Sequence, residues 1–128
     1  MSNILDAIRP FCALIDPVGS SVTCNPPPMD TDADYLCLVI PGSKNAFIEL
    51  MEEYGCELGG SLSVSDTQLN REGGGFTSYR LGEVNLIATT SDVFHMRFRA
   101  ASSIAKRLNI MDKSDRIALF QAVLYGNF

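Results

Sequence analysis

The stretch Met29-Asp30-Thr31-Asp32-Ala33-Asp34-Tyr35-Leu36-Cys37-Leu38-Val39-Ile40 decides the fold. From Tyr35 to Ile40 it is apolar throughout, as expected of a central strand buried on both faces. Pro41-Gly42 stops the strand, and Ser43 is placed to cap a helix over 44–54. In that helix Ala46, Phe47, Leu50, Met51 and Tyr54 share one face, while Glu49, Glu52 and Glu53 stay in water. Gly55 ends it in the usual C-terminal manner. A buried strand feeding an amphipathic helix predicts an α/β (α+β) domain.

Toward the N-terminus, residues 2–15 bring Ile4, Ile8, Phe11, Leu14 and Ile15 to helical spacing, with Pro10 as a kink or break. Gly19-Ser20 follows, and then a loop stiffened by Pro26, Pro27 and Pro28. Toward the C-terminus, Gly59-Gly60 and Gly73-Gly74-Gly75 punctuate a polar segment with a short strand expected near 61–65. Residues 76–81 and 84–89 read as a hairpin turning at Gly82-Glu83. Thr90 or Ser91 caps a long helix over 92–109, whose inner face is expected to be Val93, Met96, Ala100, Ile104 and Leu108. A last helix over 113–125 turns Ile117, Phe120, Val123 and Leu124 to one side. That stripe must be covered, by the domain's own core or by a second copy in a homodimer. The expected order is helix, strand, helix, hairpin, two helices.

A chain of 128 residues fits one domain, 1–128, and buries enough surface to fold without a disulfide or structural metal. Fifteen acidic against ten basic side chains give a net charge of −5, whereas duplex binders usually carry a positive excess. Free nucleotide with a divalent cation suits such a chain better than naked DNA. Cys12, Cys24, Cys37 and Cys56 show no zinc spacing, and the single histidine, His95, cannot build a zinc site alone. No run approaches a membrane span, and the first residues lack a signal-peptide pattern, so the chain is expected to be cytoplasmic and reduced.

Asp32 and Asp34 stand two apart at the mouth of the strand, so both carboxylates point to one side. Two like charges that close repel unless something positive lies between them. Magnesium or manganese, hard ions that take carboxylate oxygens, are the natural partners. Gly19 lets backbone approach a phosphate, and Ser20 offers a hydroxyl and an N–H. Asp30-Thr31-Asp32-Ala33-Asp34 also opens like a calcium loop, but Tyr35 and Pro41 stand where glycine and glutamate are needed. Gly73-Gly74-Gly75 is not followed by a helix and lysine at phosphate-loop spacing. His95 reads as a structural or exposed residue. Arg97, Arg99, Lys106, Arg107, Lys113 and Arg116 gather most of the positive charge in the last third of the chain.

Gly19-Ser20, a spacer, Asp32-Ala33-Asp34 and an apolar strand together resemble the nucleotidyltransferase superfamily that includes DNA polymerase beta. The resemblance covers roughly residues 10–90. It implies a small mixed sheet flanked by helices, here followed by two C-terminal helices. It also implies metal held by Asp32 and Asp34, triphosphate held by Gly19 and Ser20, and transfer of a nucleoside monophosphate from a nucleoside triphosphate to an unknown acceptor, protein or nucleic acid. The family keeps a third carboxylate on a neighbouring strand, where this chain reads Val84-Asn85-Leu86-Ile87. Asn85 brings an oxygen but no charge, and Glu83 is the nearest carboxylate in sequence. The implied alternative is a degenerate member that acts by binding a host or partner macromolecule. Residues 113–126 look like the tail of small bacteriophage proteins of this type, which implies the host cytoplasm.

Overall fold

Pro10 ends the first helix and releases the chain into a strand. The computed structural model of the chain describes residues 3–28, 33–58 and 76–126. Helix α1, Asn3–Ile8, tightens into a 3-10 turn over Arg9–Phe11, and Cys12 leaves it with extended dihedrals. Strand β1 then runs Cys12–Val18. The helical spacing over 2–15 therefore holds only as far as Phe11. Leu14 and Ile15 belong to β1, because pairing with the next strand outweighs a local pattern that fits either element.

A single helical turn, α2, covers Ser20–Thr23, and the strand read as YLCLVI is β2, Ala33–Val39. Helix α3 spans Lys44–Glu53. Ser43 makes no side-chain cap, contrary to expectation, because Pro41–Ser43 is itself a 3-10 turn that leads into the helix. Strand β3, Glu57–Leu58, was not foreseen. The hairpin is β4, Thr77–Leu81, and β5, Val84–Thr89, with Gly82 at φ +60° in the turn. Helix α4, Asp92–Leu108, is capped by Ser91, whose Oγ accepts from the Phe94 N–H at 3.1 Å. Helix α5, Lys113–Tyr125, is capped by the Asp112 carboxylate, which accepts from the Asp115 N–H at 3.0 Å. The strand expected near 61–65 and the Gly59-Gly60 and Gly73-Gly74-Gly75 segments lie outside the described residues.

The sheet order is β1-β2-β5-β4-β3. Only β2 and β5 run parallel; β1–β2, β4–β5 and β3–β4 are antiparallel. One face packs Cys37, Val39, Leu86 and Ala88 against α1 and α3 through Ile4, Ile8, Phe47 and Met51. The other packs Val18, Leu36 and Ile87 against α4 and α5 through Phe94, Phe98, Phe120 and Leu124. The fold is thus a mixed sheet with helices on both faces and two C-terminal helices, as expected.

Helix α4 buries a different face from the expected one. Phe94, His95, Phe98, Ala101 and Ala105 point inward, while Val93 (54% exposed), Met96 (68%) and Leu108 (67%) face out. Both stripes have helical period. The inner one wins because it carries two phenylalanines to bury and two alanines that let the helix approach closely. On α5, Phe120 and Leu124 are buried and Ile117 and Val123 half-buried, so the domain's own core covers that stripe.

Candidate functional site

Strand register gathers the polar residues. Val18 pairs with Asp34, Asp34 with Asn85, and Asn85 with Arg80, so the four form one row across β1, β2, β5 and β4. Paired residues point to the same side of a sheet, here the side covered by α4 and α5. Asp34 is half-buried at the start of β2, and Asn85, 2% exposed, stands beside it at the start of β5. The Asn85 Nδ2 donates to the Asp34 Oδ1 at 3.2 Å. The Asn85 Oδ1 is buried with no hydrogen-bond partner among the described residues.

Gly19 closes the group from the side of β1. It has φ +85°, a left-handed conformation that favours glycine, and a Cβ built on it would overlap the Asp34 Oδ2. Bare backbone is what lets β1 turn into α2 against this carboxylate. The Gly19 carbonyl accepts from the Val22 and Thr23 N–H groups, both at 3.0 Å, which sets the turn that starts at Ser20. The structure therefore brings Gly19, Ser20, Asp34 and Asn85 to one end of the sheet. Asp32 lies outside the described residues. Glu83 occupies the hairpin turn with its side chain exposed, and its carbonyl accepts from the Ala33 N–H at 2.9 Å, fixing the first residue of β2.

Two polar features escaped the sequence reading. Arg80 is half-buried opposite Asn85. Counting outward from the two-residue turn at Gly82-Glu83 gives Leu81 opposite Val84 and Arg80 opposite Asn85, so this neighbour was open to inference. Asp16 was hidden by the helical reading of residues 2–15. Its Oδ2 lies 3.1 Å from the Nε2 of His95, which is 4% exposed on the inner face of α4. This pair sits one row along the same face, since Asp16 pairs with Leu36 and Leu36 with Ile87.

The chain past α2 is tied down by a residue distant in sequence, at the end of α4. The Asn25 N–H donates to the Asn109 Oδ1 at 2.9 Å, and the Asn109 Nδ2 returns a bond to the Asn25 carbonyl at 3.1 Å. Two of the C-terminal cations are spent inside the structure. The Arg116 Nη1 donates to the carbonyls of Ile110 (3.1 Å) and Met111 (2.6 Å), and the Arg97 Nη1 donates to the Leu124 carbonyl at 3.1 Å.

Among the described residues no group of three or more His, Cys, Asp or Glu is placed to hold a metal ion. The oxygen donors on hand are the Asp34 carboxylate and the Asn85 amide, which suit magnesium or manganese rather than a softer metal. A cavity of about 230 Å³ lies at the opposite end of the same two parallel strands, lined by Val39, Lys44, Phe47, Tyr79 and Thr89, away from Asp34. No helix among the described residues is long and apolar enough to cross a membrane. Compared with known protein families, with curated proteins and with solved structures, the chain matches none.

Proposed function

We propose that this chain is a metal-dependent nucleotidyltransferase, moving a nucleoside monophosphate from a nucleoside triphosphate to a protein or nucleic-acid acceptor. The observation that carries the reading is the convergence of Gly19, just past β1, with Asp34 of β2 and Asn85 of β5 at one end of the sheet. Asp32 and Asp34 would hold magnesium or manganese, and the unpartnered Asn85 Oδ1 is an oxygen available to the same ion once the amide turns over. Such an ion, when bound, supplies alignment and charge neutralisation for phosphoryl transfer. The chain's own part is to present bare backbone at Gly19, a hydroxyl and N–H at Ser20, and the Arg80 cation on the same sheet face. This reading places the protein in the cytoplasm, that of the host if a bacteriophage encodes it.

A second reading rests on Asn85 itself. Its amide already binds Asp34, and it contributes no negative charge where the family keeps a carboxylate. The fold would then serve as a binding module for a host or partner macromolecule. Incubation with each α-labelled nucleoside triphosphate, magnesium or manganese, and a cell lysate separates the two. Label transferred by the wild type and lost in Asp34→Ala supports the enzyme. Transfer with none of the triphosphates, under either metal, refutes it in favour of the binding module.

A further inference from the structure

Helix α4 shows the solvent an apolar stripe with an internal symmetry. Val93, Met96, Ile104 and Leu108 are each at least one-third exposed, and exposed Ala100 lies between them. Counted from Ala100, Met96 and Ile104 stand four residues to either side. Val93 and Arg107 stand seven away, and Asp92 and Leu108 eight away. At 3.6 residues per turn, offsets of four and seven return to nearly the same side of a helix, and offsets of eight fall on the flanks of that side.

We propose that two copies of this chain pair through α4, antiparallel about a twofold axis at Ala100. A twofold interface must be self-complementary, so each residue meets its mirror position. Met96 then packs on Ile104 of the second copy, and alanine meets alanine where the helices cross most closely. The charges fit the same register. Asp92 at the start of α4 comes beside Arg107, near the end of α4 in the second copy, and two such pairs flank the stripe. Asp92 and Arg107 are both exposed and have no ion-pair partner among the described residues. A parallel pairing would instead set Asp92 beside Asp92 and Arg107 beside Arg107, which repel. The antiparallel arrangement also sets the two helix dipoles head to tail. Because the stripe faces away from the sheet, pairing leaves the row at Asp34 uncovered, and the inference does not depend on the function proposed above.

Sedimentation equilibrium from roughly 1 μM to 1 mM spans the affinities expected of a modest helix-pair interface. The wild-type mass should climb from 13.9 kDa toward twice that value. Met96→Glu with Ile104→Glu should hold the chain at the monomer mass with an unchanged melting profile, since both side chains are exposed in the monomer. Asp92→Arg alone and Arg107→Asp alone should each weaken pairing about tenfold, because each turns both symmetry-related charge pairs from attraction to repulsion. The two together should restore it. A wild type that stays monomeric throughout the range would overturn the proposal. So would an undiminished dimer in the double glutamate variant, or a charge exchange that fails to restore pairing.

Discussion

The amide of Asn85 donates across 3.2 Å to the carboxylate of Asp34, joining the second residues of the two parallel strands, and leaves its own oxygen buried without a partner among the described residues. An unsatisfied buried acceptor costs about 1–3 kcal/mol. The pair is thus a strand-to-strand tie that holds one oxygen in reserve, the oxygen that the proposed function assigns to a bound cation.

Asn85→Asp tests the pair directly. Without metal, two carboxylates would face each other at low exposure, and the variant should melt below the wild type. Millimolar magnesium or manganese should then raise its melting temperature by more than it raises the wild type's. A ligand at a hundred times its dissociation constant contributes about 2.7 kcal/mol to the folded state. Thermal melts across a metal titration read both effects. An equal or smaller metal response in Asn85→Asp would remove the case for a cation at this row.

Gly19→Ala should destabilise the fold through two separable effects. The backbone at Gly19, with φ +85° and ψ −176°, is a conformation essentially confined to glycine and costs any side chain at least about 1 kcal/mol. The added methyl also overlaps the Asp34 Oδ2. The total loss should reach about 2–3 kcal/mol. In an Asp34→Ala background the overlap disappears and only the backbone strain remains, so the two substitutions should be non-additive by about 1 kcal/mol or more. Urea denaturation of the four proteins in the cycle measures this. Additive losses would mean that Gly19 and Asp34 do not touch in solution.

Much of this was legible because strong local signals agreed with tertiary structure. The Tyr35–Ile40 run and the hairpin turn at Gly82-Glu83 each had one physical meaning and became the expected element, and of the two caps offered, Thr90 or Ser91, the structure uses Ser91. The family resemblance carried by Gly19-Ser20 and Asp32-Ala33-Asp34 pointed to two members of one row, Asp34 and Asn85, and to Gly19 beside it, without any view of the sheet. Legibility failed where two patterns overlapped. Leu14 and Ile15 continue a helical spacing as well as they fit a strand, so β1 and its Asp16 were invisible. Helix α4 carries two apolar stripes, and only its packing on α5 and the sheet, through Phe98 and Phe94, decides between them.

Phe120→Ala should be among the most damaging single substitutions in the chain. The ring meets Phe98 edge-on with centroids 4.9 Å apart, in the cluster that fills the space between the sheet and the last two helices. Truncating a buried phenylalanine costs about 3–5 kcal/mol, against a total of about 5–15 kcal/mol for a typical domain. The melting temperature should collapse, and the freed surface of α4 should bind a hydrophobic dye. Met96→Ala, on the exposed side of the same helix, should leave the monomer's melting temperature within about 0.5 kcal/mol equivalent of wild type. Similar losses for the two variants would contradict the assignment of inner and outer faces.

Alkaline pH should unfold the protein earlier than its carboxylate content alone would suggest. Burial pushes the Cys56 thiol up, and burial, with the nearby Cys56 and Glu52, pushes the Tyr79 hydroxyl up. Cys37 is pushed up by its hydrogen bond with Cys12 and by burial, while the same hydrogen bond holds Cys12 below the usual thiol range. A group raised in the folded state contributes stability that is complete below its unfolded pKa and is lost as pH rises through its folded pKa. The unfolded chain releases those protons first, at about 8.5 for thiols and about 10 for tyrosine. Cys12 acts in the opposite sense, but for one proton against three. Stability should therefore hold to about pH 8 and then decline, steepening beyond about pH 10. Melts between pH 7 and 11 follow the decline, and Tyr79→Phe isolates the phenol, because it keeps the ring that packs edge-on against Phe47. The variant should lose less stability than the wild type above pH 10. Identical pH profiles for the two proteins would show that Tyr79 ionises as freely in the fold as in the unfolded chain.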